Sequence, residues 1–467
     1  MSGFAFATIT DLSAGYRRKE FSPVEVLTDV SRRLDVIEPV LNMFAHLDLA
    51  AAFDQARASE ARMVRGTMLG VLDGIPTSIK DLIAVAGMPQ RFGSRTTSAA
   101  LVATDAPAVA RLRAAGAVIL GKSTTSEFGC KGVGDSPLTG ITRNPWNPAL
   151  TPGGSSCGAA AMVACGLVPY AIGTDGGGSI RIPAALTGLF GIKAQFGRVP
   201  VFPTSATPTL AHVGPLARTA EDAAQVLQII AGYDRRDPFT VAGPVPDFLT
   251  AARTPRPLRI AWSPTLGYAR ADSEIAALTE AAVLRLQVLG HSVEHVAPGF
   301  DDPIGMWTAE FYAGVGTRLR ASVETDAQAL DPAVLGVLRA AIAQDLKTYY
   351  TSVFDRYAFR EKVRAVMEPF DLLLTPTLPV AAFAAGQDVP SGYEDRNIVS
   401  WAMFTYPFNL TGQPAASLPA GLTAAGLPAG LQAVSRAHDE QAIFALAGQM
   451  ERLMGHSPAH PDYAIFR

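Results

Sequence analysis

TPGGSSCGAAAMVACGLVPYAIGTDGGGSIRIP, residues 151–183, is the stretch from which the rest of this chain can be read. It holds two serines in glycine-rich settings, Ser155 in Gly153-Gly154-Ser155-Ser156 and Ser179 at the end of Asp175-Gly176-Gly177-Gly178-Ser179. Between them, Gly158 to Ile172 is small and apolar, which predicts a short buried helix followed by a strand. Glycines ahead of a serine allow positive φ and close approach of a ligand to the backbone. They also present successive N–H groups that can converge on one oxygen, as an oxyanion hole requires. A serine placed between such a loop and a basic side chain is a candidate acyl-transfer nucleophile. Taken singly, a GGSS run is also a common flexible loop and a DGGGS run a common turn.

Composition narrows the class. The chain has 467 residues, 48% of them apolar and 17% charged, so a large core is easily filled. That charged share is below the ~25% typical of globular proteins and predicts a closely packed body. Length permits two or three domains, but no repeat, low-complexity tract or linker is visible, and one large domain is the economical reading. The net charge of −3, without a run of lysines or arginines, gives no nucleic-acid footprint. Three cysteines, Cys130, Cys157 and Cys165, form no paired spacing and imply a reducing compartment with no disulfide frame. No HExxH occurs among the seven histidines, and His291 and His295 flank a strand-like segment, so no metal site is expected. The N-terminus lacks a signal-peptide pattern. The most apolar run, Gly158 to Gly173, is shorter than the ~20 residues a membrane span needs. The expectation is a cytoplasmic protein without membrane or nucleic-acid partners.

In chain order, Ser22-Pro23-Val24-Glu25 is a capping box with proline at the first helical position. A helix then runs to near Pro39 and a second from Leu49 to Arg65, an N-terminal helical wrap over 1–65. Val71 to Ala86 is strand-like and carries Lys80 among apolar neighbours. It reads either as a snorkelling lysine or partner of Asp81, or as a desolvated lysine with lowered pKa, able to act as a base. Gly116 to Ser123 matches GxxxxGK[ST], yet its spacer Ala-Val-Ile-Leu is itself a strand, whereas a phosphate loop follows the strand; an NTP site is rejected. Beyond the central stretch, Thr219 caps a helix. Leu258 to Trp262, Asp272 to Leu289 and His291 to Val296 read as strand, helix and strand in a parallel crossover. Pro298 to Val366 is mostly helical, Asp371 to Thr375 a buried strand, Ala382 to Asn397 a loop and Glu440 to Met454 an amphipathic helix.

These spacings resemble the amidase signature family, serine amidases with a Ser–cis-Ser–Lys triad. The resemblance rests on Gly74 to Asp81 (GIPTSIKD), Thr151 to Ser156 (TPGGSS) and Gly173 to Ala184 (GTDGGGSIRIPA). It continues through Gly214 to Thr219 (GPLART), Leu373 to Thr377 (LLTPT) and Gly426 to Gln432 (GLPAGLQ), about residues 65 to 435 in all. Cys157 and Gly176 depart from the residues commonest there, which bears on pocket shape. The resemblance implies one α/β domain over 1–467, a mixed central sheet covered by helices on both faces. The catalytic signature core would lie in 66–220 and a variable specificity region in 298–400. It implies Ser179 as nucleophile, Ser155 as the cis serine that relays protons and Lys80 as base. The amides from Gly176 to Ser179 would form the oxyanion hole, with Gly176, Gly177 and Gly178 as its three glycine donors. The substrate would be a small-molecule amide, cleaved without cofactor or metal, and homodimerisation stays open.

Other readings remain. Gly154 to Gly158 fits GxSxG, a nucleophile elbow with Ser156 as nucleophile, although the three prolines of 143–153 make a poor preceding strand and only His438-Asp439 offers an acid and histidine. The same triad serves the glutamine-hydrolysing component of a tRNA-dependent amidotransferase, for which Arg318, Arg356 and Arg396 are unplaced candidates to clamp a carboxylate. An inactive paralogue is opposed by retention of all three triad residues. Trp307, Phe311, Tyr312 and Trp401 point to an aryl or apolar acyl group, and Phe404 to Asn409 to the far wall of the site. Cys130 falls near the pocket or, more simply, in the core.

Overall fold

Strands covered on both faces lose their in–out alternation and become continuous apolar runs. Val118-Ile119-Leu120 and Leu372-Leu373-Leu374 are such runs. In the computed structural model, which describes residues 3–454 and 459–462, both lie inside one sheet of eleven strands. The extreme ends of the expected 1–467 domain fall outside the described residues. The strands in chain order are β1 (Phe44–Leu47), β2 (Pro76–Lys80), β3 (Val118–Ser123), β4 (Asp135–Ser136), β5 (Gly140–Ile141), β6 (Tyr170–Asp175) and β7 (Phe190–Lys193). They continue as β8 (His212–Ala217), β9 (Arg259–Trp262), β10 (Ser292–His295), β11 (Leu372–Pro376), β12 (Ala415–Leu422) and β13 (Pro428–Ser435). The sheet order is β1-β3-β2-β6-β8-β7-β12-β13-β11-β9-β10, and β4 and β5 form a separate small hairpin. Parallel pairs join β3, β2 and β6 on one side and β11, β9 and β10 on the other, with antiparallel pairing between.

Alternate residues of each run feed opposite faces. Ile119, Leu372 and Leu374 join the apolar cluster that includes the helices Ala220–Ile230 and Glu440–Met454. Val118 and Leu120 join the cluster that includes the buried helix Cys157–Ala164 and the N-terminal helix Pro23–Leu41, and Leu373 joins the one that includes Trp307 and Trp401. The chain is thus a single α/β domain, its mixed sheet covered on both sides.

The capping box forms as read: Ser22 Oγ accepts from the Glu25 amide and Glu25 returns the bond. The segment 1–65 is less purely helical than expected, since it also lends β1 to the sheet edge, antiparallel to β3. A four-residue strand is too short to show a period. Strands β7, β8, β12 and β13 were likewise not anticipated. Pro215 stands inside β8 opposite Ile172, and Pro419 sits at a register shift in β12, so glycine and proline mask their strand character.

The GKS sequence rejected as a phosphate loop is part of β3 itself. Gly121 is required there by close approach, because a Cβ on it would stand 2.1 Å from the His46 carbonyl oxygen of β1. Replacing Gly121 with alanine is therefore expected to push β1 off the edge and cost about 1–3 kcal/mol, read as a lowered urea midpoint; an unchanged midpoint would refute the close-approach argument.

Candidate active site

β2 and β6 are parallel neighbours, with Ile79 opposite Ile172, so their C-terminal ends open on the same edge. Open α/β sheets place ligands outside that edge. Lys80 is the last residue of β2 and Asp175 the last of β6. The glycine turn to Ser179 follows β6, and Ser155-Ser156 lead into the helix Cys157–Ala164. The Gly154–Ser155 peptide is cis. Lys80 is fully buried, and its Nζ donates to Ser155 Oγ at 2.7 Å and to Ser156 Oγ at 3.0 Å. The Ser156 amide donates to the Ser179 carbonyl at 3.2 Å, tying the two serine segments together. Ser155 and Ser179 both face a cavity of about 370 Å³.

Lys80 is not the partner of Asp81. Asp81 is engaged by Lys122, whose Nζ lies 3.2 Å from its Oδ1, so Lys80 has hydroxyl partners only. Burial lowers the Lys80 pKa to about 7, a shift that Cys157 and Asp175 oppose. An amine in that range is divided between its neutral and charged forms near neutral pH.

The glycine turn is braced from behind. The carbonyls of Asp175, Gly176, Gly177 and Gly178 accept from Asn409 Nδ2 (3.1 Å), Trp307 Nε1 (2.8 Å), Thr405 Oγ1 (2.6 Å) and the Ile182 amide (2.6 Å). A trans peptide directs N–H opposite to C=O, so each following amide has its direction set. One of the three expected donors is corrected here. The Gly178 amide is taken by Asp175 Oδ1 at 2.8 Å, which leaves the amides of Gly176, Gly177 and Ser179 without an intramolecular acceptor among the described residues.

Asp175 is held by Arg181, both fully buried, with Nη2 2.9 Å from Oδ1 and Nε 3.0 Å from Oδ2. Burial would raise the Asp175 carboxyl, but the Arg181 guanidinium and Asn409 hold it well below the usual carboxylate range. Neither Arg181, Thr405 nor Asn409 was assigned this bracing role from the sequence. The Phe404 to Asn409 segment lies behind the glycine turn and is not the far wall of the cavity. The only available signal was Arg181 itself, a charge within an otherwise apolar IRIP.

The cavity walls are chiefly apolar, from Phe92, Phe128, Phe202, Phe311, Val315 and Leu319. Of the four aromatic residues expected there, only Phe311 arrives. Trp307 and Tyr312 are buried behind the wall, Tyr312 donating to the Cys130 carbonyl, and Trp401 is in the core. Cys130 is a core residue whose thiol is pushed up by burial. Phe92 and Phe202 sit in loops and Phe128 in the single 3-10 turn Glu127–Gly129, segments whose sequence carries no periodic signal. Arg356 and Arg396 are consumed in ion pairs with Glu310 (2.6 Å) and Asp302 (2.5 Å). Arg318 alone of the three reaches the cavity, and it makes no ion pair among the described residues. The nucleophile-elbow arrangement does not assemble: no strand precedes Ser156, and His438 does not line the cavity. His291 accepts from the Leu258 amide and His295 is exposed on β10. Among the described residues no helix is long and apolar enough to cross a membrane.

The sequence model of the family described as Amidase matches residues 25–444. An acylamidase of Rhodococcus erythropolis is 33% identical over 454 residues, covering 95% of this chain and 94% of that protein. A glutamyl-tRNA(Gln) amidotransferase subunit of Methylococcus capsulatus is 35% identical over 443 residues, covering 89% of this chain and 90% of that protein. Among solved structures, a bacterial aryl acylamidase of the amidase signature family superposes with a TM-score of 0.91 at 29% identity, covering 100% of this chain and 98% of that one. The chain belongs to the amidase family and is a hydrolase of amide C–N bonds.

Removing one partner of the Asp175–Arg181 pair strands a buried charge. Arg181→Met is expected to destabilise by about 3–5 kcal/mol, measured by urea unfolding, and a loss below about 1 kcal/mol would show the pair to be structurally dispensable.

Proposed function

We propose that this protein hydrolyses small carboxamides with an aryl or apolar group through an acyl-serine intermediate, with Ser179 as nucleophile, Ser155 as proton relay and Lys80 as base. The observation that carries this reading is Lys80, buried without a carboxylate and donating to Ser155 at 2.7 Å beside the Ser179 cavity. A serine hydroxyl attacks only as its proton leaves. Neutral Lys80 takes a proton from Ser155 as Ser155 takes one from Ser179, and Ser179 Oγ adds to the substrate carbonyl. The amides of Gly176, Gly177 and Ser179 meet the resulting oxyanion, each donor of this kind being worth about 3 kcal/mol of barrier. The relay returns the proton to the departing amine, and water, activated along the same path, releases the carboxylate. The apolar cavity supports an aryl or apolar substrate group, and the three buried cysteines, none of them in a disulfide, support a reducing compartment.

Labelling with a serine-reactive fluorophosphonate, followed by peptide mapping, is expected to modify Ser179 and to fail in Lys80→Ala. Modification at Ser156, or turnover retained in Ser179→Ala, would sink the assignment. Protonated Lys80 cannot accept a proton, so kcat/KM is expected to rise with pH through about 7. Lys80→Ala should lose at least about 10²-fold in kcat and the acid limb with it.

One observation favours a second reading, glutamine hydrolysis within an amidotransferase: Arg318 reaches the cavity without an ion-pair partner among the described residues. Ammonia release from glutamine that is abolished in Arg318→Ala would favour it. Turnover of an apolar amide with no glutamine hydrolysis would exclude it.

A further inference from the structure

We propose that Trp307, from the helix Ile304–Arg318 in the variable region, is a positioning residue for acyl transfer, its indole N–H fixing the direction of the Gly177 amide toward the oxyanion. The inference rests on the reading of Ser179 as nucleophile. A buried tryptophan carries a donor that needs an acceptor, and any loop carbonyl could serve. Here it is the Gly176 carbonyl, at 2.8 Å, within the turn that precedes Ser179. The Gly176 carbonyl and the Gly177 N–H belong to one planar peptide, so holding the first on the indole turns the second away from it. No described residue accepts from the Gly177 amide. The neighbouring peptide behaves differently: Thr405 holds the Gly177 carbonyl, but the Gly178 amide is spent on Asp175. Trp307 therefore controls an amide that is still available to a ligand.

Packing fixes the indole as tightly as its hydrogen bond does. A Cβ on Gly177 would stand 2.6 Å from Trp307 Cζ2, and one on Gly176 would stand 2.7 Å from Phe311 Cε2, so the glycines lie directly against the two rings. Those rings stack on each other at 4.4 Å and 18°. Phe311 goes on to form cavity wall, while Trp307 is only 1% exposed. The helix is itself anchored through Glu310, whose partner Arg356 also donates to the Leu410 carbonyl at 2.7 Å. One helix thus supplies a wall to the substrate and a backstop to the turn.

An unclamped peptide can rotate, and a misdirected donor costs part of the roughly 10²–10³-fold that removal of such a donor costs. The test compares wild type with Trp307→Phe, which keeps a ring against Phe311 and lacks the N–H. If that variant does not fold, the benzothiophene isostere of tryptophan, incorporated at position 307, removes only the N–H. The probe is a trifluoromethyl ketone with an apolar arm, set against the corresponding alcohol. Ser179 Oγ adds to the ketone carbon, the hydroxyl proton passes to the Ser155–Lys80 relay and the carbonyl oxygen becomes the oxyanion, with no group leaving. The alcohol forms no oxyanion. The expected result is a parallel fall of about 10–100-fold in kcat and in ketone affinity. KM, alcohol affinity and the pKa of the acid limb should stay within about twofold of wild type. Unchanged kcat and ketone affinity, or losses shared equally by the alcohol, would overturn the role. A wild-type enzyme unlabelled at Ser179 by the fluorophosphonate would instead overturn the underlying assignment, so the two failures are distinguishable.

Discussion

The buried Asp175–Arg181 pair is the interaction on which the site depends. A guanidinium offers five N–H donors in a rigid fork, and Arg181 places all five. Two go to Asp175, and the others to the Thr405 carbonyl, the Asn409 side chain and Gln432 of β13. The pair therefore ties the glycine turn to segments more than two hundred residues away, at the centre of the sheet. Burying a charge is tolerated only with such complete pairing. Because every donor is used, the turn has one geometry, and its amides point where the backbone bracing directs them.

Lys80 uses burial to the opposite end. Lys122 is equally buried one strand away but has a carboxylate beside it, whereas Lys80 has two hydroxyls. Hydroxyls can accept from an ammonium or donate to an amine, so they do not lock either protonation state. A lysine that burial disfavours as a cation, and that no carboxylate hydrogen-bonds, is divided between its neutral and charged forms near neutral pH.

The helices of 298–400 have two roles where the sequence pointed to one. Phe311 and Arg318 face the cavity, but Trp307 faces the back of the glycine turn and Glu310 holds the helix in place through Arg356. Cavity wall and support of the glycine turn are thus carried on neighbouring positions of a single helix. A change of wall residue in this helix acts on a stack that reaches Gly176 and Gly177.

Much of the fold is legible in the sequence. The Ser22 capping box, the buried run at Val118 to Leu120, the crossover between β9 and β10 and the three polar side chains Lys80, Ser155 and Ser179 all follow from residue type and short spacing, because propensity, capping and patterning act over a few residues. The strands β7, β8, β12 and β13 were hidden because their glycines and prolines are tolerated only by partners supplied from elsewhere in the sheet. Of the cavity only Phe311 was legible: Phe92, Phe128, Phe202 and Phe311 come from four separate segments, while Trp307 and Tyr312 are turned behind the wall. Sequence alone determined the fold class and which residue types were present for acyl transfer. Tertiary structure alone decided which faces line the cavity, that Gly178 had lost its amide to Asp175, and that Lys80 hydrogen-bonds no carboxylate, since each depends on which distant groups fill the space around it.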